Sequence, residues 1–212
     1  SPYNAALPDV QFWNYANTGW IDLQPGLGDT TNDIGPEVGF GHALNQIFPD
    51  DDIYLVKWGV DSTSLAVDWN PSGGTQYNTF KSRVNAALGS LAGHSPEIAG
   101  MIWMQGESDA VNSYGNQYQT NLTKFIADVR ANYGAELPFI AGRLSTNQTS
   151  LNDTPAEATQ FNLVRNAQTA VAATIPRVSL INTDGYGMNG DNLHFNASGQ
   201  QALGNDSATA LF

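Results

Sequence analysis

The feature that most constrains the fold is a regular alternation of amphipathic helical segments with short apolar runs. Apolar residues recur at helical spacing in four segments, residues 36–48, 79–91, 118–133 and 160–174. Each of these is followed by a run that we predict to be a strand, at residues 53–58, 100–104, 139–143 and 178–182. Because these runs are continuously apolar, they are typical of strands buried on both faces. Helix-then-strand repeats of this kind predict a mostly parallel sheet with helices on both sides.

The ends of the chain fit the same architecture. Residues 10–14 form a further short apolar run, and residues 197–211 have the pattern of a closing helix. Residues 14–35 are rich in Asn, Gly and Pro and predict a long irregular connection, and residues 145–154 predict a loop. The sequence therefore predicts one α/β domain over residues 1–212. We expect a three-layer α/β/α sandwich whose central, mostly parallel sheet has about five strands in a flavodoxin-like arrangement.

Composition excludes several classes of function. Eight basic residues against twenty acidic residues give a net charge of −12, which argues against a nucleic-acid partner. No apolar run approaches the roughly 20 residues of a membrane-spanning helix, and no cluster of basic residues suggests a membrane surface. The absence of cysteine excludes disulfides, thiolate metal sites and a thiol nucleophile. With only 13% charged residues, the composition favours a secreted or extracytoplasmic protein.

A dense polar segment follows the apolar run at residues 100–104. Gln105, Glu107 and Asp109 stand where an open α/β sheet places its ligands, at the carboxyl end of a strand. The amide of Gln105 is suited to donate to a developing oxyanion, which is worth on the order of 3 kcal/mol. Glu107 offers a carboxylate that polarises a histidine. An ordinary polar loop after a strand fits the same pattern equally well.

A second candidate for chemistry is Asp191, three residues before His194. At this spacing the carboxylate can accept a hydrogen bond from one imidazole nitrogen and leave the other free as a general base. Taken alone the pattern is weak, and an ordinary surface histidine is the simpler interpretation. Residues 60–65 lie at another strand end, where backbone N–H groups could face the same oxyanion or simply form a Ser/Thr turn. We interpret His42 and His94 as structural.

Together these segments resemble the carbohydrate acetylesterases of the SGNH-hydrolase superfamily. Within it, the similarity is to sialate O-acetylesterase-like domains and to the acetylxylan esterases of carbohydrate esterase family six. The resemblance runs from about residue 10 to the C-terminus. It is carried by ordered motifs, namely Gly35-Pro36-Glu37, Ile53-Tyr-Leu-Val-Lys57, Thr63-Ser-Leu-Ala-x-Asp68-Trp69, Trp103-x-Gln-Gly-Glu-x-Asp109 and Asp191-x-Leu-His194-Phe.

The resemblance implies a serine esterase that removes acetyl groups from a carbohydrate such as acetylated xylan or sialate, without cofactor or metal. It implies that His194 is the general base, that Asp191 orients it and that Glu107 is an auxiliary acid. Gln105 then takes the place of the oxyanion-hole asparagine of the wider superfamily. The second oxyanion donor falls at Asp61 and Ser62, where the family has a glycine pair and where a Cβ limits the backbone.

The nucleophile that the resemblance implies is the serine of a Gly-Gln-Ser-Asn segment, which this sequence does not contain. We expect that residues upstream of Ser1 supply it in the natural protein. The alternatives are a catalytically inactive domain that binds acetylated glycans, or a relocated nucleophile, for which Ser62 and Ser64 are better candidates than Ser1. A metal-dependent hydrolase with Glu107, Asp191 and His194 as ligands is a further alternative, but their spacing matches no recognised metal site.

The strand that carries this serine in the resembled family lies between the strands predicted at residues 53–58 and 100–104. Without it, two rows of buried backbone groups would lack partners, at about 1–3 kcal/mol for each group. We therefore predict that a strand occupies this position. It would come from residues outside the sequence or from a rearranged segment 1–14. Direct pairing of the two flanking strands would contradict the prediction.

Overall fold

The computed structural model describes residues 2–14, 16, 18–27 and 34–212, and these residues contain six strands and six α-helices. The strands are β1 Leu7–Asn14, β2 Gly19–Leu23, β3 Ile53–Leu55, β4 Met101–Met104, β5 Phe139–Gly142 and β6 Val178–Ile181. The helices are α1 Pro36–Ile47, α2 Thr75–Ser90, α3 Glu107–Val111, α4 Gly115–Tyr133, α5 Pro155–Thr174 and α6 Ala197–Leu211. Two short 3-10 helices cover Pro2–Asn4 and Thr149–Leu151.

The strands form two three-stranded sheets, ordered β2-β1-β3 and β4-β5-β6. Three of the four strand pairs are parallel, and the β1–β2 hairpin is antiparallel. The predicted α/β class with mostly parallel strands is therefore confirmed. The expectation of one sheet with about five strands is wrong, because within the described part of the chain β3 pairs only with β1 and β4 pairs only with β5.

Helices cover both faces of the strands, as the three-layer prediction requires. On one face, α1 packs on β1 and β3, α6 packs on β5 and β6, and the two helices pack against each other. The side chains of β5 show the alternation between the layers. Ile140 belongs to the core under α1 and α6, whereas Phe139 and Ala141 belong to the core under α4 and α5. Because α1 and α6 pack against each other and each covers one of the two sheets, they hold both sheets in a single layer.

The break between the two sheets lies between β3 and β4. The loops that follow these strands are joined by a hydrogen bond from Gln105 Nε2 to the Thr63 carbonyl, 3.1 Å long. Direct pairing of β3 with β4 is not observed in the described residues. The suggestion that segment 1–14 occupies the break is wrong, because β1 pairs with β2 and β3 instead.

Several boundaries differ from the sequence-based expectation. Part of the connection predicted to be irregular is β2, whose Trp20 contacts Trp13 of β1 at a ring-centroid distance of 5.0 Å. Helix α5 begins earlier than predicted because Thr154 and Glu157 form a reciprocal capping box at its start. Residues 28–33 of the predicted connection lie outside the described residues. Among the helices that the structure describes, none has the length and apolarity needed to cross a membrane.

Candidate active site

The loop after β6 brings Asp191 and His194 together. Asp191 Oδ2 lies 2.7 Å from His194 Nδ1, and Asp191 Oδ1 accepts the backbone N–H groups of Leu193 and His194, both at 3.0 Å. The hydrogen bond to His194, reinforced by the two backbone donors, holds the pKa of Asp191 well below its ordinary value. A carboxylate at Nδ1 requires the proton on that nitrogen, which leaves Nε2 as the basic atom. The His194 side chain is 64% exposed, so Nε2 is accessible.

The base of this loop is closed by main-chain contacts. Met188 and Phe195 form an antiparallel bridge, and the backbone N–H of Asn189 donates to the His194 carbonyl at 2.8 Å. The Asn196 side chain then caps the first turn of α6 by accepting the N–H of Gly199. The local sequence therefore folds as a tight loop between a strand and a helix, with its acid–histidine pair at the tip.

Gln105 and Asp109 form a buried cluster at the end of β4. Asp109 is fully buried and accepts three hydrogen bonds, from the N–H groups of Leu65 and Ala66 at 2.6 and 3.0 Å and from Gln105 Nε2 at 2.7 Å. Burial raises the pKa of Asp109, and the three donors oppose that rise. The cluster fixes the loop after β3 against the end of β4.

The amide of Gln105 is fully occupied in this arrangement. Its Nε2 donates to Asp109 and to the carbonyl of Thr63, and its Oε1 lies 3.1 Å from the hydroxyl of Tyr118. The Gln105 carbonyl accepts from Gln168 Nε2 at 3.0 Å. A developing oxyanion would have to replace one of these partners, so the oxyanion role of Gln105 stays a prediction.

The other candidates of the oxyanion hole lie in the loop after β3. Asp61 and Ser62 are exposed, and Ser62 adopts φ +57°, the left-handed region that a glycine occupies without strain. Ser64 is buried, and its hydroxyl donates to Asp68 Oδ2 at 3.1 Å inside the same turn. Within the described residues, no hydrogen bond joins Ser62 or Ser64 to His194. Ser1 lies outside the described residues.

Glu107 is linked to the histidine loop by Gln148, a residue that the sequence-based reasoning missed. Gln148 Nε2 donates to Glu107 Oε1 and to the Leu193 carbonyl, both at 3.0 Å, and its Oε1 accepts the N–H of Ser145 at 2.8 Å. Gln148 is 1% exposed. It lies in a loop rich in Asn, Ser and Thr, where no periodicity or motif distinguishes it from its neighbours.

A group of charged side chains braces the loops after β5 and β6. Asp184 accepts from Arg143 and Arg165, both at 2.9 Å, and from the backbone N–H of Thr146 at 2.9 Å. The hydrogen bond from Arg165 is the main reason that the pKa of Asp184 lies far below its ordinary value. The ion pairs keep the loop that carries Gln148 next to the loop that carries His194.

The polar residues at the ends of β3, β4, β5 and β6 thus form two hydrogen-bonded groups, which meet in the segment from Gln105 to Asp109. One group joins the loop at Thr63 to Gln105 and Asp109, and the other joins Glu107 through Gln148 to the loop of Asp191 and His194. Of the predicted site residues, Ser62 and Ser64 form no hydrogen bond with His194 in the part of the chain that the structure describes. Among the described residues no group of three metal-binding side chains is present, so Glu107, Asp191 and His194 do not form one.

Fold and site define a three-layer α/β protein with an acid–histidine pair at the carboxyl edge of its strands. The sequence profile of the carbohydrate esterases described as sialic acid-specific acetylesterases matches residues 5–212, and the chain belongs to this family. No curated protein sequence matches the chain.

Two solved structures share the fold. A protein from Arabidopsis thaliana, determined by X-ray analysis at 1.6 Å, superposes with a TM-score of 0.81 at 22% identity, covering 100% of this chain and 83% of its own. The crystal structure of NanS gives a TM-score of 0.67 at 14% identity, covering 99% of this chain and 88% of its own. At these identities the likeness extends to the fold alone.

Proposed function

We propose that the protein is a serine-type O-acetylesterase that acts outside the cytoplasm on an acetylated polysaccharide or oligosaccharide, such as acetylated xylan or sialate. The observation that carries the proposal is the Asp191–His194 pair, exposed at the carboxyl edge of the strands in a chain of the carbohydrate esterase family. In this role His194 Nε2 takes the proton of a serine hydroxyl. Asp191 keeps the imidazole in the required tautomer and stabilises the imidazolium that forms.

Other residues at the strand ends supply the oxyanion hole and the auxiliary acid. Gln105 exchanges its bond to the Thr63 carbonyl for one to the oxyanion, while its bond to Asp109 keeps the amide in place. The left-handed backbone at Ser62 presents main-chain N–H groups from the loop that Asp109 anchors. Glu107, held through Gln148, adds negative charge near the imidazolium.

We propose that the nucleophile is delivered on a further strand that pairs with both β3 and β4. Both strands have a free edge among the described residues, and the loops that follow them are neighbours. A parallel strand in this position would end beside Thr63 and Gln105, where a serine at its carboxyl end would meet the oxyanion donors. Filling the position would also give partners to backbone groups that otherwise lack them.

A second candidate function is glycan binding without cleavage. Two observations favour it, since no described serine is hydrogen-bonded to His194 and both amide hydrogens of Gln105 have internal partners. In that case the site would recognise an acetylated sugar through the exposed His194 loop and would not turn it over.

Strand complementation separates these proposals. The chain is assayed on a small acetyl ester, on acetylated xylan and on O-acetylated sialate, with and without a synthetic apolar strand peptide ending in Gly-Gln-Ser-Asn. The expected result is turnover only with the peptide, lost in His194→Ala and lost when the peptide serine becomes alanine. Turnover by the chain alone that Ser62→Ala or Ser64→Ala abolishes would overturn the added-strand proposal. Glycan binding measured by calorimetry, with no turnover under any condition, would establish the binding function instead.

A further inference from the structure

We infer that Gln148 is a positioning residue that sets the place of the His194 imidazole relative to Glu107. The inference rests on the proposed function of this site. Gln148 donates one amide hydrogen to Glu107 Oε1 and the other to the carbonyl of Leu193, the residue before His194. It lies in the loop after β5, so it joins the ends of three neighbouring strands.

The peptide unit between Leu193 and His194 is held at both ends. Its carbonyl accepts from Gln148 at 3.0 Å, and its N–H donates to Asp191 Oδ1 at 3.0 Å. The Cα of His194 belongs to this peptide unit, so the orientation of the peptide determines the position and direction from which the imidazole side chain extends. Fixing both of its polar atoms leaves the backbone little freedom to rotate.

The exposed acid–histidine pair needs such an attachment. Asp191 is 48% exposed and His194 is 64% exposed, and the hydrogen bonds between them lie within four consecutive residues. The internal geometry of the pair therefore does not by itself fix its place in the site. Asn189 closes the loop and Leu193 packs against the core, while the hydrogen bonds to the loop after β5 come from Gln148 and from Ser150, whose hydroxyl donates to the Asn192 carbonyl at 3.0 Å. Of these two, Gln148 also holds Glu107.

The chemistry of the side chain explains why a glutamine stands here. The Ser145 N–H needs an acceptor, so Oε1 must face it, and Nε2 then points its two hydrogens at two acceptors. Methionine fills a similar volume with no donor, and leucine is a smaller side chain without one. Either substitution leaves the Leu193 carbonyl without this partner and adds no charge beside Glu107.

Nuclear magnetic resonance tests the inference without an activity assay. In Gln148→Met we expect the backbone amide signals of residues 191–194 to shift or broaden, while the ¹⁵N signals of His194 still show the proton on Nδ1. The matched control is Gln168→Met. Gln168 is equally buried, accepts the Leu144 N–H and donates to the Gln105 carbonyl, so its loss should leave the amide signals of the loop unchanged. Unchanged loop signals in a folded Gln148→Met protein would overturn the inference.

Kinetics provide the second readout, and Gln148→Leu is the substitute if Gln148→Met does not fold. In the active assembly we expect kcat to fall about 10- to 100-fold with KM unchanged, because misplacement of a catalytic group affects the chemical step. Glu107→Gln should cost little more once Gln148 is replaced, whereas full additivity of the two changes would contradict the inference. Failure of the wild-type assembly to hydrolyse any acetyl ester would count against the proposed function, and the amide signals would still decide the role of Gln148.

Discussion

Asp109 and Asp191 accept the same set of hydrogen bonds and show opposite electrostatic behaviour. Each carboxylate accepts two backbone N–H groups and one side-chain N–H, from Gln105 in the first case and from His194 in the second. Burial raises the pKa of Asp109, whereas the hydrogen bonds at exposed Asp191 lower its pKa. The donors are alike, so desolvation decides the sign.

The difference indicates that the two carboxylates at the strand ends have different roles. Asp109 contacts backbone groups of a loop that lies more than forty residues earlier in the chain, and so it fastens β4 to the loop after β3. The hydrogen bonds of Asp191 reach only Leu193 and His194. A substitution at Asp191 can therefore alter the protonation and orientation of the histidine without altering the fold. We expect substitutions at Asp109 to affect stability and substitutions at Asp191 to affect catalysis.

The largest effect is expected for Asp191→Asn on turnover. An amide in place of the carboxylate favours the other imidazole tautomer and removes the negative charge that stabilises the imidazolium, so kcat should fall about 10³- to 10⁴-fold. The measurement is steady-state hydrolysis of an acetyl ester by the assembly with the added strand. The midpoint of urea unfolding should fall much less than in Asp109→Asn. A loss of folding stability as large as that of Asp109→Asn would remove the distinction between the two residues.

The next effect is expected for Asp109→Asn on stability. One of the two backbone N–H groups, or the Gln105 amide, would face the new NH₂ group and lose its acceptor, which should lower the free energy of unfolding by about 2–4 kcal/mol. Urea unfolding followed by circular dichroism measures this, with the exposed Asp50→Asn as the control that should change little. Wild-type stability in Asp109→Asn would show that the buried carboxylate does not fasten the two strand ends.

The same contrast between local and distant contacts explains how much could be predicted from sequence. The contact between Asp191 and His194 spans three residues, and a spacing motif was enough to indicate it. Gln148 contacts residues 41 and 45 positions away, and such partners become visible only after the strands are assembled. The helices α1, α4 and α6 were predicted well because their periodicity is long and regular.

Some elements of the fold could not be predicted from the sequence pattern for the same reason. Strand β2 is five residues long and half buried. Its sequence shows no clear strand pattern, and its extended backbone is stabilised by pairing with β1. Helix α3 spans only five residues, too few to show a helical period. Trp13 and Trp69 are 3% and 4% exposed and belong to the core. Whether a side chain packs inward depends on partners that periodicity does not identify.

The pH dependence of the two carboxyl groups tests their opposite shifts directly. The stability contributed through the raised pKa of Asp109 is fully present below the ordinary Asp value of about 3.9 and is lost as the pH rises through the folded value. The contribution of Asp191 is present above about 3.9 and is lost as the pH falls through its lowered value. Carboxyl ¹³C titration should therefore show Asp109 protonating before Asp191 on acidification. The reverse order would contradict the role assigned to burial.

The smallest effect is expected at Ser62, in the loop that Asp109 fastens. Its φ of +57° strains a residue with a Cβ, and Ser62→Gly relieves that strain while adding freedom to the unfolded chain, so the net gain in unfolding free energy should be about 0.5 kcal/mol. Ser62→Ala keeps the Cβ and should give no gain in the same urea titration. Both variants should also keep esterase turnover in the complemented assembly, because the proposed nucleophile lies on the added strand. Loss of turnover in Ser62→Ala, which keeps the Cβ and removes only the hydroxyl, would contradict the added-strand proposal and point to the Ser62 hydroxyl as the nucleophile, and the loop held by buried Asp109 would then belong to catalysis as directly as the loop of exposed Asp191.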